Sequence, residues 1–191
     1  MTVIDAPVVS SALPRPSWIP SCAADETSPE PLTDRLPDLG DMEQRCWQMF
    51  LESSTRLLEM LNRRLVNTHQ LTMFDFLVLN VLAKSRHGSA RMGDLAQALV
   101  VRPSRVTQQI QRLEAEGLVR RSRSTHDGRG VIASITREGR VRVKPAAYTY
   151  GRDIRKHYLD QMPRNQMIAI GDSCRRVSAP LKGTVSPESR F

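Results

Sequence analysis

The sequence predicts a mainly α-helical fold of the α+β class that carries one small β-hairpin. Two observations support this fold class, and a third bears on the size of the core and on the partner. Apolar residues recur at helical spacing along most of residues 41–180. Two short runs with β-branched residues flank the glycine-rich segment Thr125–Gly130, which predicts a hairpin loop. With 191 residues and a net charge of +8, the chain is long enough for one core and basic enough to attract a polyanion.

Two helices are predicted before the most basic part of the chain. The first, from about Asp41 to Asn67, carries an apolar stripe that another surface must cover. The stripe consists of Met42, Cys46, Met49, Phe50, Leu57, Leu58, Leu61 and Leu65, with Trp47 beside it. The second helix, Thr72–Lys84, is apolar almost throughout, so it is predicted to form the buried centre.

A short helix, Arg91–Val100, and a longer one, Pro103–Glu116, come next, separated by only two residues. Pro103 suits the first helical position, and Gly117 marks the end of the longer helix. One face of that helix is apolar, and the other is rich in side chains that can hydrogen-bond to base edges. The polar face carries Ser104, Arg105, Thr107, Gln108, Gln111 and Arg112. Such a pair is typical either of a DNA-binding helix-turn-helix or of an ordinary helical hairpin in a core.

The hairpin follows directly, with strands predicted over Leu118–Ser124 and Val131–Thr136. It carries four arginines, Arg120, Arg121, Arg123 and Arg129, which favour contact with phosphate or entry into the minor groove. Arg129 is predicted at the tip, with Asp127 able to hold its guanidinium. A solvated basic loop is the alternative, but the position after a helix pair favours a winged helix-turn-helix that binds duplex DNA.

Two further helices complete the predicted fold. Thr136 can cap a long helix that runs to about Leu159 and is broken or bent near Pro145. The last helix runs from Pro163 to about Val177. The first and last helices both keep apolar faces, and a second copy of the chain would cover them, so we expect a homodimer.

These motifs resemble the MarR family of bacterial winged-helix transcription regulators over about Asp41–Lys182. The resemblance is carried by Arg91–Ala96, Ser104–Glu114, Gly117–Arg121, Asp127–Gly130 and Ile135–Gly139. It implies dimerisation helices over residues 41–67 and 137–180 and a DNA-binding lobe over 71–136. The DNA contacts would come from Arg102, Ser104, Arg105, Thr107, Gln108, Gln111, Arg112, Arg121, Arg123, Asp127 and Arg129. Arg102 stands where members often have a capping Ser or Thr.

The resemblance implies a sequence-specific regulator, more often a repressor, on a pseudo-palindromic duplex operator. It also implies a small aromatic acid as effector, in a cleft that Trp47, Arg56, His69 and Phe74 could line. Cys46 lies near the position of the reactive thiol in peroxide-sensing relatives, so a redox-sensing regulator is an alternative function. A basic protein that binds nucleic acids without sequence preference is another.

The rest of the sequence limits other functions. Residues 1–40 hold seven of the twelve prolines and six acidic side chains against two basic ones, which predicts a disordered acidic tail. Residues 183–191 are predicted to be a flexible tail. Neither a secretory signal nor a membrane span is recognisable, so we expect a cytoplasmic protein. The cysteines and histidines lack metal-ligand spacing, and no catalytic motif stands out, so no metal, cofactor or enzymatic activity is expected.

Overall fold

The structure is a computed structural model that describes residues 36–123 and 130–181. Most of the predicted acidic tail, the predicted tail over residues 183–191, and the hairpin residues Asp127 and Arg129 lie outside the described residues. The chain divides into two compact units, residues 1–45 and 46–191. In the first unit, the backbone N–H of Gly40 donates to Glu43 Oε2 at 2.8 Å, where the first helix begins.

The described residues form six α-helices and three short strands. The helices are α1 (Asp41–His69), α2 (Met73–Lys84), α3 (Met92–Leu99), α4 (Pro103–Ala115), α5 (Arg137–His157) and α6 (Arg164–Leu181). The strands are β1 (Ser89–Arg91), β2 (Val119–Arg123) and β3 (Val131–Ile135). The predicted mainly α-helical class with one small hairpin is confirmed, and α6 continues four residues beyond its predicted end at Val177.

One strand was not predicted. The sheet has the order β1-β3-β2 with both pairings antiparallel, and β1 pairs Ala90 with Ala133. Three residues are too few to show a period of two, so the sequence carries no signal for β1. Strand β1 forms because the edge of β3 offers backbone hydrogen-bond partners, and only the tertiary structure brings that edge beside it.

Helix α2 lies at the centre of the core, as predicted. Phe76, Val78, Leu79 and Leu82 on this helix are at most 1% exposed. The other elements contribute buried side chains around it: Leu65, Leu71, Leu95, Val106, Ile110, Leu113, Leu118, Val119, Ala133 and Val143. Thr72 caps α2, because its side chain accepts a hydrogen bond from the N–H of Asp75 at 3.1 Å and the Asp75 carboxylate accepts one from the N–H of Thr72.

The sequence predicted a helix that is broken or bent near Pro145, and α5 is not broken there, because it runs through this proline as one helix. A proline inside a helix removes the hydrogen bond to the carbonyl four residues earlier, which here belongs to Val141. Val141 is 60% exposed, so water can approach this part of the helix and offset part of the lost hydrogen bond. Thr136 caps α5, as predicted, by accepting from the N–H of Gly139 at 3.0 Å.

Helices α3 and α4 form the predicted pair with a tight connection. Val100 ends α3 in the left-handed conformation, with φ of 55°. Arg102 takes the N-cap position of α4 without a side-chain capping bond, and Pro103 begins the helix. Gly117, with φ of 72°, follows the end of α4 and turns the chain into β2. The predicted bounds of α4 are therefore confirmed to within one residue.

Candidate nucleic-acid interface

Helix α4 buries one face and exposes the other. Val106, Ile110 and Leu113 are fully buried. The predicted DNA-contact residues of this segment are all exposed: Arg102, Ser104, Arg105, Thr107, Gln108, Gln111 and Arg112. Glu114 is the first carboxylate in the helix, so apart from Pro103 the exposed side chains of its first three turns are basic, amide or hydroxyl. A surface of this composition can donate to phosphates and to base edges.

The basic strand β2 is joined to the end of α4 by an ion pair. Arg121 donates to Glu114 through its backbone N–H at 3.0 Å and through Nε at 2.6 Å. The backbone hydrogen bond is the largest cause that lowers the pKa of Glu114 below its ordinary value of 4.5. The pair fixes the start of the hairpin relative to α4 and leaves Arg120 and Arg123 exposed on the same strand.

Two of the predicted DNA-contact side chains also contact the protein. The guanidinium of Arg105 lies over the ring of Phe74, 4.7 Å from its centroid, which is cation–π geometry. The hydroxyl of Thr107 donates to the backbone oxygen of Pro103 at 3.0 Å. Arg105 is therefore held at the junction between α4 and the first turn of α2, while its residue stays exposed.

A buried carboxylate links α2 to the middle of α4. Asp75 is 2% exposed, and its Oδ2 accepts from the backbone N–H of Thr72 at 2.8 Å and from the Thr72 hydroxyl at 2.6 Å. Its Oδ1 accepts from Gln109 Nε2 and Arg112 Nη2. The hydrogen bond to Asp75 is the largest cause that raises the pKa of Arg112 above its ordinary value. Because the Arg112 side chain is 47% exposed, removing one partner costs less than the roughly 3–5 kcal/mol of a fully buried pair.

Sequence reasoning missed Asp75 and Gln109 as parts of this site. Asp75 stands three residues after Thr72, which is the spacing of a helix-capping pair, and the sequence explains the carboxylate fully in that way. Gln109 is half-buried at the edge of the polar face. The hydrogen bond between them crosses 34 residues of sequence, so no local pattern could reveal it.

A cleft of about 530 Å³ opens between α1, the start of α2 and α4. Its lining consists of Asn62, Thr72, Met73, Phe74, Arg105, Gln108, Gln109 and Arg112. This volume lies within the range of small-molecule sites, which is about 300–1,000 Å³. The lining includes one aromatic ring and two guanidinium groups, which suit a flat anion. Arg105 and Gln108 belong at the same time to the exposed face of α4.

Comparison with known proteins assigns the chain to a family. AbsC, described as a MarR family transcriptional regulator from Streptomyces coelicolor, superposes with a TM-score of 0.73 at 31% identity, over 76% of this chain and 97% of AbsC. The chain belongs to the MarR family of transcriptional regulators. Sco3205, a MarR family regulator from the same organism solved in complex with DNA, has a TM-score of 0.73 at 28% identity over 80% of this chain and 97% of its own.

Sequence comparisons agree with this MarR family assignment. A family model described as transcriptional regulator SarA/Rot matches residues 61–145. The HTH-type transcriptional repressor MdtR of Bacillus subtilis (strain 168) is 31% identical over 104 residues, which is 54% of this chain and 63% of MdtR. The chain thus spans less than two thirds of the length of MdtR. The family predicted from the sequence motifs is confirmed.

Of the four predicted effector residues, Phe74 lines the cleft and the other three do not. Trp47 stacks on Phe50 with 5.7 Å between ring centroids, and Arg56 forms an exposed pair with Glu52 at 2.8 Å. His69 shares a hydrogen bond of 2.8 Å with Thr149 on α5. The cleft therefore uses one of the four predicted residues.

The remaining functional predictions concern thiols, metals and membranes. Cys46 and Cys174 are exposed free thiols on α1 and α6. Within residues 36–123 and 130–181, no group of three His, Cys, Asp or Glu side chains could hold a metal ion. Among the helices of those same segments, none is long and apolar enough to cross a bilayer.

Proposed function

We propose that this MarR family member is a homodimeric repressor that binds a pseudo-palindromic duplex operator through α4 and the β2–β3 hairpin. The exposed face of α4 carries this proposal, because its first three turns hold no carboxylate and the first one, Glu114, stands near the end of the helix. Arg105 and Gln108 would read bases, and a good bidentate contact is worth about 1–3 kcal/mol. The arginines of β2, with Arg129 at the predicted tip, would contact phosphate and the minor groove.

Homodimer formation is proposed from the exposed apolar faces of α1 and α6. Helix α6 has 18 residues, and none is buried against the described part of its own chain. Ile168 and Val177 are 51% and 63% exposed, and Met49 and Phe50 on α1 are 69% and 55% exposed. Large apolar surface of this kind marks an interaction site, and a second copy offers a matching surface by two-fold symmetry. The two copies of α4 would then reach successive major grooves about 34 Å apart.

An aromatic acid in the cleft is the proposed effector. Its ring would lie near Phe74 and its carboxylate would pair with Arg105 or Arg112, which line the same cleft. Since Arg105 is also proposed to read bases, a bound acid and the operator would compete for one guanidinium. The acid would therefore favour the conformation that does not bind DNA and relieve repression.

The proposed function is tested with an operator selected by the protein itself. Duplexes are selected from a random library, and their affinities are compared with a scrambled duplex by fluorescence anisotropy. Gln108→Ala and Arg129→Ala should each weaken operator binding. Arg175→Ala on α6, which removes one charge from an exposed pair with Asp172, is the control once light scattering gives it the same mass as the wild type. Equal affinity of the wild-type chain for operator and scrambled duplex would refute a sequence-specific regulator.

Dimer and effector have their own measurements. Light scattering should give twice the chain mass of 21.5 kDa, and Ile168→Glu should lower it toward that mass. A wild-type monomer at micromolar concentration would contradict the homodimer. Benzoate should weaken operator binding by the wild-type chain and have less effect on Phe74→Ala, with benzyl alcohol as the uncharged control. Equal effects of benzoate and benzyl alcohol would refute an anion site.

A further inference from the structure

The contacts of Arg112 conflict with its predicted role at the DNA. Its side chain is 47% exposed, yet its Nη2 donates to the Oδ1 of Asp75, which is 2% exposed. A carboxylate in this position has exchanged water for protein donors and becomes costly if a donor leaves. Turning Arg112 toward a base would remove that donor. Asp75 would keep Thr72 and Gln109 as donors. It would lose its ion pair with Arg112, and the cost of that loss opposes any gain from a base contact.

The hydrogen bonds of Asp75 restrain α4 in a way that its apolar face cannot. Val106, Ile110 and Leu113 pack into the core, but apolar contacts have little directional preference. Gln109 and Arg112 lie one turn apart on the same side of α4 and both donate to one oxygen of Asp75. The second oxygen of Asp75 is held by Thr72 at the start of α2. The angle of α4 about its own axis is therefore set relative to α2.

We propose that Asp75 is a positioning residue for DNA recognition. In this proposal Gln109 and Arg112 of α4 donate hydrogen bonds to Asp75 and do not contact bases. Successive residues of a helix differ by about 100° around its axis, so a small rotation moves every side chain on the polar face. Base recognition requires correct directions for Arg105 and Gln108, whereas phosphate attraction tolerates such a rotation. The inference rests on the proposed binding of DNA by α4.

The decisive variants are Gln109→Met and Asp75→Asn, with Asp94→Asn as the control. Gln109→Met keeps the shape of a half-buried side chain and removes a donor without changing charge. Asp75→Asn removes a negative charge, and Asp94→Asn removes the same charge from an exposed position in the first turn of α3. Charge alone would make both aspartate variants bind every duplex slightly better. Thermal unfolding identifies any variant that fails to fold, and Gln109→Met then decides.

Affinities for the selected operator and a scrambled duplex are measured between about 50 and 200 mM salt. We expect Gln109→Met and Asp75→Asn to lower the operator-to-scrambled ratio by about tenfold, the size of one good base contact, while Asp94→Asn preserves it. Arg112→Gln should lower the ratio equally and leave the salt dependence unchanged. The double variant Asp75→Asn with Arg112→Gln should be no worse than either single variant, since the two residues act together.

Three results would overturn the inference. One is an unchanged ratio in Gln109→Met and in folded Asp75→Asn. Another concerns the plot of log affinity against log salt concentration. If the slope of this plot falls in magnitude by about one for each chain that carries Arg112→Gln, the variant has lost a phosphate contact. A third is a double variant whose loss in the operator-to-scrambled ratio equals the combined losses of the two single variants. Equal binding of operator and scrambled duplex by the wild-type chain would instead refute the proposed function, and this inference with it.

Discussion

Gly139 lies where α5 meets the base of the β2–β3 hairpin, and replacing it by alanine tests this packing. A Cβ at this position would lie 2.2 Å from the backbone oxygen of Leu118 and 2.8 Å from Cγ1 of Ile135. The Leu118 oxygen also accepts from the N–H of Thr136 at 3.0 Å and from its hydroxyl at 3.1 Å. Gly139→Ala must therefore displace held backbone, because no flexible side-chain end can give way instead.

The expected cost follows from three effects. Overpacking of this kind costs about 1–3 kcal/mol. Losing a hydrogen bond at the Leu118 oxygen adds about 1 kcal/mol. The better helix propensity of alanine offsets about 1 kcal/mol. We expect a net loss of about 2 kcal/mol, which lowers the melting temperature of a chain of this size by roughly 4–8 °C.

Gly151→Ala is the matched control in the same helix, because a Cβ there would meet nothing within 4 Å. Alanine at this position should stabilise the chain by about 0.5–1 kcal/mol. Urea unfolding at one fixed protein concentration measures both variants, since the stability of a dimer depends on concentration. Gly139→Ala with a stability equal to or above that of the wild type would refute the packing argument.

Three further predictions use single positions. Val100→Gly should raise the melting temperature by relieving a β-branched residue at φ 55° with an 81% exposed side chain, a gain of about 0.5–1 kcal/mol; an unchanged or lower value would contradict the strain. Arg121 lowers the pKa of Glu114. The ionised Glu114 therefore stabilises the fold at pH values above its ordinary pKa of 4.5, and this contribution is lost as the pH falls through the lowered pKa. Urea unfolding should therefore show Glu114→Gln less stable than the wild type at about pH 7, with the difference shrinking as the pH falls below 4.5. Burial against Phe76, with 4.7 Å between ring centroids, raises the pKa of Tyr150 above 10.0, so the wild type should lose stability relative to Tyr150→Phe as the pH rises above 10.0. A difference titration by ultraviolet absorbance that gives Tyr150 an ordinary pKa would argue against this.

The local parts of the fold could be predicted because their signals lie within a few residues. Pro103 and Gly117 bound α4 by backbone preferences alone, and the apolar period of Val106, Ile110 and Leu113 fixed its buried face. The exposed polar face followed from the same period. Strand β1 and the unbroken course of α5 could not be predicted, because each depends on what lies beside the segment in space.

The predicted site was less complete than the predicted fold. The sequence identified which α4 side chains are exposed, but three predicted DNA-contact arginines have partners inside the protein. Arg105 lies on Phe74, Arg112 binds Asp75, and Arg121 pairs with Glu114. The first two partners lie on another helix, more than thirty residues away, and such a distance removes any local signal.

The sequence by itself determined the order of the six helices and of strands β2 and β3, the helix-turn-helix pair and the basic character of α4 and β2. These properties depend on periodicity, caps and charge, which act over one or two helical turns. Only the tertiary structure decided that Asp75 joins α2 to α4 and that the cleft shares Arg105 with the polar face of α4. A buried carboxylate must find its donors wherever the packed chain brings them, and that position is set by the core as a whole.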